Sequence, residues 1–385
     1  MSATSRTAAH LVIGGGLAGS MVAIRLAAAG RKITLLERER APHHKVCGEF
    51  LSREAVQYLE QAGVNPLDFG AESIRFVRLT SKRRVVQAEL PFTALSLSRC
   101  ALDEALLARA AQEGCKVERG AFVENLITGD GNWQALLRGG DSWCAPTVFL
   151  ANGKHDLRGL ERKLGAHGDL IGFKLHWRLA PAQTTALRGF IELFLFPGGY
   201  GGLSLVEGGV ANFCLVVRRA ALRTIGGWPE LLASIQNENP HIAQRLCGAI
   251  PMWESPLAVS SIPYGYLSGR PHGLWCVGDQ AAVIPSFTGD GMSIALHSAT
   301  LAAQMYLAGE SADRYHENLH SHLSRSMGLA TALSRAMVSG IGRTLAPICL
   351  SVFPGAMHWI AKSTRIPGQV MLARPTLKNR PILPA

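Results

Sequence analysis

The sequence predicts an α/β fold: a parallel-sheet domain, interrupted by a mostly antiparallel β-sheet domain and followed by a C-terminal helical region. Three observations carry this. The chain opens on a strand–helix–strand unit, HLVIGGG, LAGSMVAIRLAAAG and KITLLE, in the order a parallel sheet requires. Residues 168–265 change texture to strand-like runs separated by Gly pairs, GFKLHWRLA, FIELFLFPGG, GGLSLVEGG and VANFCLVVR, the pattern of an antiparallel sheet. From about Asp290 the pattern is mostly helical. The 385 residues fit this plan, since ~150 residues per domain gives two or three domains.

The elements follow in order. In the opening unit Gly30 stops the helix and Glu37 ends the second strand. Residues 38–51 read as loop and SREAVQYLEQAGV as helix. ESIRFVRLT and RRVVQAEL read as strands joined by a tight polar turn, ALDEALLARAAQEG as helix, and KVERG, AFVENLI, NWQALLRG and PTVFLANG as strands. After the middle sheet, LWCVGD returns as a buried strand. This order assigns 8–70, 96–160 and 270–310 to the parallel-sheet domain, 71–95 and 161–269 to the inserted domain, and 311–385 to the helical region.

Charged residues are 17% of the chain and hydrophobic ones 48%, which excludes a disordered protein. The net charge of +11 is concentrated at the end: residues 318–385 hold eight Lys and Arg and no Asp or Glu. That basic tail has two readings, a solvated helical surface or a peripheral contact with anionic lipid. No basic stretch interleaves with stacking aromatics, so no nucleic-acid partner is expected. The eight Cys form no CxxC pair, and the short apolar run before Gly14 is no export signal, so a cytoplasmic protein is expected. Pro347 and Pro354 interrupt the uncharged stretch 344–361, which argues against a straight membrane span.

Gly14, Gly16 and Gly19 match GxGxxG between strand and helix. The first glycine permits the turn, the second lets a pyrophosphate approach the backbone, and the third lets helix and strand pack closely. The helix N-terminus attracts phosphates. Glu37, at the end of the next strand, can accept hydrogen bonds from ribose hydroxyls and disfavours a 2′-phosphate. The site therefore suits FAD or NAD. A second block, CVGDQAAVIPSFTGDGMSIAL, ends a strand on Gly278-Asp279 and opens a helix after Gly289-Asp290-Gly291.

Together these blocks resemble the FAD-binding pattern of the p-hydroxybenzoate hydroxylase superfamily, which includes aromatic hydroxylases, flavin halogenases and geranylgeranyl reductases. The resemblance covers about residues 8–310. It implies a Rossmann-like FAD-binding domain carrying non-covalent FAD, with Asp279 on the ribityl chain and Gly278, Gly289, Asp290 and Gly291 around the flavin. It also implies Arg99 near the pyrophosphate or adenosine, an alternative being a surface Arg paired with Asp103 or Glu104. The segment His43-His44-Lys45-Val46-Cys47-Gly48-Glu49 resembles the K-x-C-G-E segment of geranylgeranyl reductase-like members, which places Cys47 near the flavin as a catalytic or tuning residue. Its alternative is a small buried thiol. In this superfamily the inserted sheet roofs the flavin, so Phe173, Trp177, Phe194, Phe196 and Tyr200 become candidate substrate contacts and His176 a candidate acid or base.

Two departures bear on chemistry. Asn152 stands where many members have the Asp of a second Asp-Gly block, which leaves the reductant open between NAD(P)H and a separate protein donor. The halogenase Trp-x-Trp-x-Ile-Pro pattern is missing. The resemblance implies an oxidoreductase acting on a hydrophobic small molecule. Hydroxylation of an aromatic or polyketide-like substrate with NAD(P)H and O2 is placed first. The alternatives are C=C reduction of an isoprenoid or other lipid, and a non-catalytic flavin-binding partner protein. His316-Glu317-Asn318-Leu319-His320 matches HExxH but has no third ligand, so no metal site is expected and the motif reads as a solvated helix face.

Overall fold

The structure, a computed structural model, describes residues 4–129, 131–163, 168–269, 273–338 and 363–371. Much of the basic tail, residues 339–362 and 372–385, lies outside the described residues. No helix among the described residues is long and apolar enough to cross a membrane.

Five strands form a parallel sheet in the order Trp275–Cys276, Val148–Leu150, His10–Ile13, Ile33–Glu37, Lys116–Arg119. Its central strands are buried along their length because both faces are covered. The helix Leu17–Ala28 is buried from Leu17 to Ala27 and is apolar apart from Ser20 and Arg25, as a central helix is expected to be. Two glycines make this packing sterically feasible. Gly14 has φ +104°, and a Cβ there would lie 2.5 Å from the Ala151 carbonyl oxygen. A Cβ on Gly19 would lie 1.9 Å from the Gly14 carbonyl oxygen. Strands between Val123 and Ala145, with Ser5–Thr7, form a small four-stranded sheet that shares this core.

The inserted sheet has nine strands. It joins the hairpin Glu72–Ser81 and Arg84–Ser96 to the strands Leu170–Arg178, Gly189–Phe196, Gly199–Val206 and Val210–Arg218. The hairpin meets the rest through a parallel pairing with Gly189–Phe196, and the other pairings are antiparallel. Residues 50 and 51, read as loop, form a short strand on its edge against Ser96 and Leu95. One face of this sheet packs on the helices Trp228–Glu238 and Pro240–Arg245 and forms a second core. The opposite face turns toward the parallel-sheet domain.

The helix Gly291–Leu307 begins where the sequence places it, and Ala312–Val338 follows. The HExxH segment is not a solvated face. His316 is buried and its Nε2 lies 3.2 Å from the Leu274 carbonyl oxygen, while His320 is exposed. Burial lowers the His316 pKa to about 4, and the two histidines share no site.

Candidate functional site

A cavity of about 1310 Å³ runs from the Gly-rich turn to the inner face of the inserted sheet. A single small ligand occupies ~300–1,000 Å³, so this volume accommodates a cofactor and a substrate together. Gly14, Gly16, Glu37, Arg99, Gly278, Asp279, Gly289 and Gly291 all line it, so two motifs some 260 residues apart in sequence meet around one space.

The turn is built for an anion. A Cβ on Gly16 would meet Arg99 Nη2 at 3.4 Å and Lys45 Nζ at 3.6 Å, so two cations stand over bare backbone at a helix N-terminus. Both are held by one carboxylate: Arg99 Nε and Nη2 donate to Asp103 at 2.9 Å, and Lys45 Nζ donates to it at 2.8 Å. Burial works against the charge on Asp103, but Arg99 and Lys45 outweigh it and keep its pKa below the usual carboxylate range. The Arg99–Asp103 pair and a place beside the Gly turn, alternatives in the sequence, occur together. Glu37 is buried and accepts from the Gly15 N–H at 2.7 Å and the Glu39 N–H at 2.8 Å, which aims its carboxylate at the cavity. These residues fit FAD, with the Gly turn, Lys45 and Arg99 for the pyrophosphate and Glu37 for a ribose.

Two cofactor assignments need correction. Gly19 does not line the cavity, because it sits where helix and turn touch and its part is packing. Asp290 also turns away. Its carboxylate is buried, has no hydrogen-bond partner among the described residues, and lies 3.8 Å from Arg365 Nη1. Burial raises its pKa to about 7, against the opposing pull of Arg365.

Alternation along the inserted strands decides the substrate candidates. Leu193 and Leu195 line the cavity, so Phe194 and Phe196, which alternate with them, point into the second core. On Leu170–Arg178, Phe173 and Trp177 likewise pack in or against that core. None of these four aromatics lines the cavity. Tyr200 does, with its hydroxyl 3.1 Å from Ser286 Oγ.

The same alternation sends Lys174 and His176 inward, onto Glu49. Lys174 Nζ donates to Glu49 Oε1, and both side chains are fully buried. His176 Nε2 lies 2.8 Å from Glu49 Oε2, and the Arg99 N–H donates to Oε1 at 2.8 Å. Burial raises the cost of a charge on Glu49, yet Lys174 and His176 hold its pKa below the ordinary value. An ionised carboxylate only accepts, so His176 Nε2 carries the proton. Glu49 has φ +57°, a strained conformation for a residue with a side chain, and strain of this kind collects at functional sites. His176 does not line the cavity but reaches it through Glu49, which does. Cys47 lines it too, and the Glu49 N–H points at Cys47 Sγ at 3.4 Å.

His44 stacks on Trp253 at 5.1 Å and meets His176 edge-on at 4.8 Å. Burial, then Lys174 and His176, lower its pKa. His44, Glu49 and His176 bring potential metal-ligand atoms within 4.8 Å of one another, a grouping absent from the sequence reading. The Lys174 ammonium already engages Glu49, and its charge opposes a bound cation there. The sequence reading placed Lys45 and Glu49 in the segment beside Cys47 without giving them a role, and it missed Lys174. The available signal was a lysine two residues before His176, on the same face of a buried alternating strand.

Residues 7–143 match the family described as FAD binding domain. The menaquinone reductase of Mycolicibacterium smegmatis is 24% identical over 356 residues, covering 84% of this chain and 83% of that protein. Digeranylgeranylglycerophospholipid reductase 2 of Methanopyrus kandleri is 24% identical over 322 residues, covering 77% and 76%. Among solved structures, the myxobacterial chondrochloren halogenase superposes with a TM-score of 0.74 at 20% identity, covering 93% of this chain and 91% of that one.

Proposed function

We propose that this FAD-binding oxidoreductase of the p-hydroxybenzoate hydroxylase and geranylgeranyl reductase superfamily reduces a carbon–carbon double bond in an apolar, lipid-like molecule. The observation that carries this reading is the buried cluster of Glu49, Lys174 and His176 behind Cys47, at the wall of a largely apolar cavity. Reducing such a bond adds a hydride and a proton, and bound FAD supplies the hydride chemistry. The chain supplies the proton. Cys47 Sγ holds it at the cavity wall, and the Glu49 N–H stabilises the sulfur as the proton leaves. Lys174 keeps Glu49 ionised, and His176 holds a further proton at Nε2. Leu193, Leu195 and Val216 keep water from the reacting end.

Two relatives matching most of this chain are named as reductases, which supports the same reading. Oxygenation, placed first from sequence, rests on the abundance of hydroxylases in the superfamily, and the halogenase likeness extends to the fold alone. The continuous cavity disfavours a flavin-binding partner without chemistry. NAD(P)H is the proposed donor, docking transiently, and a lipid substrate is the reason to test peripheral membrane contact through the basic tail.

The test mixes anaerobically reduced holoprotein with menaquinone or a geranylgeranyl lipid. The expected result is substrate-dependent flavin reoxidation and a product gaining two hydrogens, slowed about 100-fold or more in Cys47→Ser. No anaerobic turnover, with substrate-dependent O2 uptake and an oxygen atom in the product, would transfer the assignment to hydroxylation.

A further inference from the structure

Arg162 has 2% side-chain exposure and stands behind the cofactor cavity without lining it. Its guanidinium donates in three directions: Nε to Asp156 Oδ1 at 2.6 Å, Nη1 to the Asp279 carbonyl at 2.6 Å, and Nη2 to the Lys154 carbonyl at 2.8 Å. Gln280 Nε2 adds bonds to the Gly153 and His155 carbonyls at 2.7 and 3.0 Å. Lys154 Nζ then reaches the Val46 carbonyl at 2.8 Å. Three cavity-lining loops, 45–49, 152–156 and 278–280, are therefore tied into one network.

We infer that Arg162 is a positioning residue for the FAD site. By fixing the Asp279 carbonyl it sets the direction of a residue that lines the cavity. By fixing the Lys154 carbonyl it sets the reach of the ammonium that holds the Cys47 loop. Only a rigid guanidinium fork satisfies three acceptors in these directions, and a lysine can keep one. The inference is independent of which reaction the flavin performs.

The test titrates FAD into the apo forms of wild type, Arg162→Lys and Asp156→Asn, and records flavin spectrum, midpoint potential and urea midpoint. Arg162→Lys is expected to raise the FAD Kd about tenfold or more and to shift the flavin absorption bands and potential. Asp156→Asn, which keeps the guanidinium and weakens one partner, is expected to raise Kd a few-fold in the same direction. It decides the matter if the Arg162 variant fails to fold. Wild-type Kd and potential in the folded variants, whether or not the urea midpoint falls, would overturn the inference.

Discussion

Lys174→Met removes the ammonium from the buried cluster and keeps most of the stem's volume. Glu49 is left with His176 Nε2 at 2.8 Å and the Arg99 N–H at 2.8 Å. Breaking a buried ion pair by deleting one partner costs about 3–5 kcal/mol. The two remaining hydrogen bonds place this case near the lower end, about 3 kcal/mol. The loss depends on pH with a definite sign. In the wild type the folded pKa of Glu49 is depressed, so its contribution is present above the unfolded value of ~4.3 and is lost as pH falls through the folded one. Without Lys174 the burial penalty weighs more, the folded pKa rises, and the carboxyl protonates at higher pH. The deficit is therefore largest near pH 8 and shrinks toward about pH 5. Urea unfolding followed by tryptophan fluorescence across that range measures it. Adding Glu49→Gln should recover part of the loss near pH 8, because it removes the unpaired charge and keeps an acceptor for the two remaining donors. A deficit equal at every pH would mean that shape, not charge, is at work, and no deficit would refute the argument.

Two further outcomes follow from the corrected assignments. Phe194→Ala should cost about 3–5 kcal/mol, because the ring is fully buried and stacks on Phe213 at 5.0 Å, yet leave KM within about twofold; unchanged stability with a large KM shift would return the ring to the cavity. Asp290→Asn should match the wild type near pH 4 and exceed it by about 2–4 kcal/mol near pH 8, because a folded pKa of about 7 makes wild-type stability fall as pH rises. Thermal midpoints against pH check this, and parallel profiles would show an ionised, compensated carboxylate.

The cofactor end was legible in the sequence because its determinants are local. The turn at Gly14 needs positive φ, Gly16 lies beneath two cations, and Glu37 closes the adjacent strand. Each requirement acts within one strand–helix–strand unit and leaves a fixed spacing in the chain. Gly19 belongs to the same spacing, and its separate part as a packing residue needed only steric reasoning.

The substrate end was not legible in the same way. Alternation alone required His176 and Trp177 to face opposite ways, so both could not meet the flavin. Which face was which depended on the helices that bury Phe194 and Trp177. His316, which shares a helix with exposed His320, is buried because Leu274 lies against it. By itself the sequence determined the Gly-rich turn, the opening strand–helix–strand unit and the antiparallel insertion, since backbone sterics and apolar periodicity act over a few residues. Only the tertiary structure decided the buried cluster of Glu49, Lys174 and His176. Glu49 meets Lys174 and His176 across 125 and 127 residues, and a charge is stable in that interior only where folding delivers its partners.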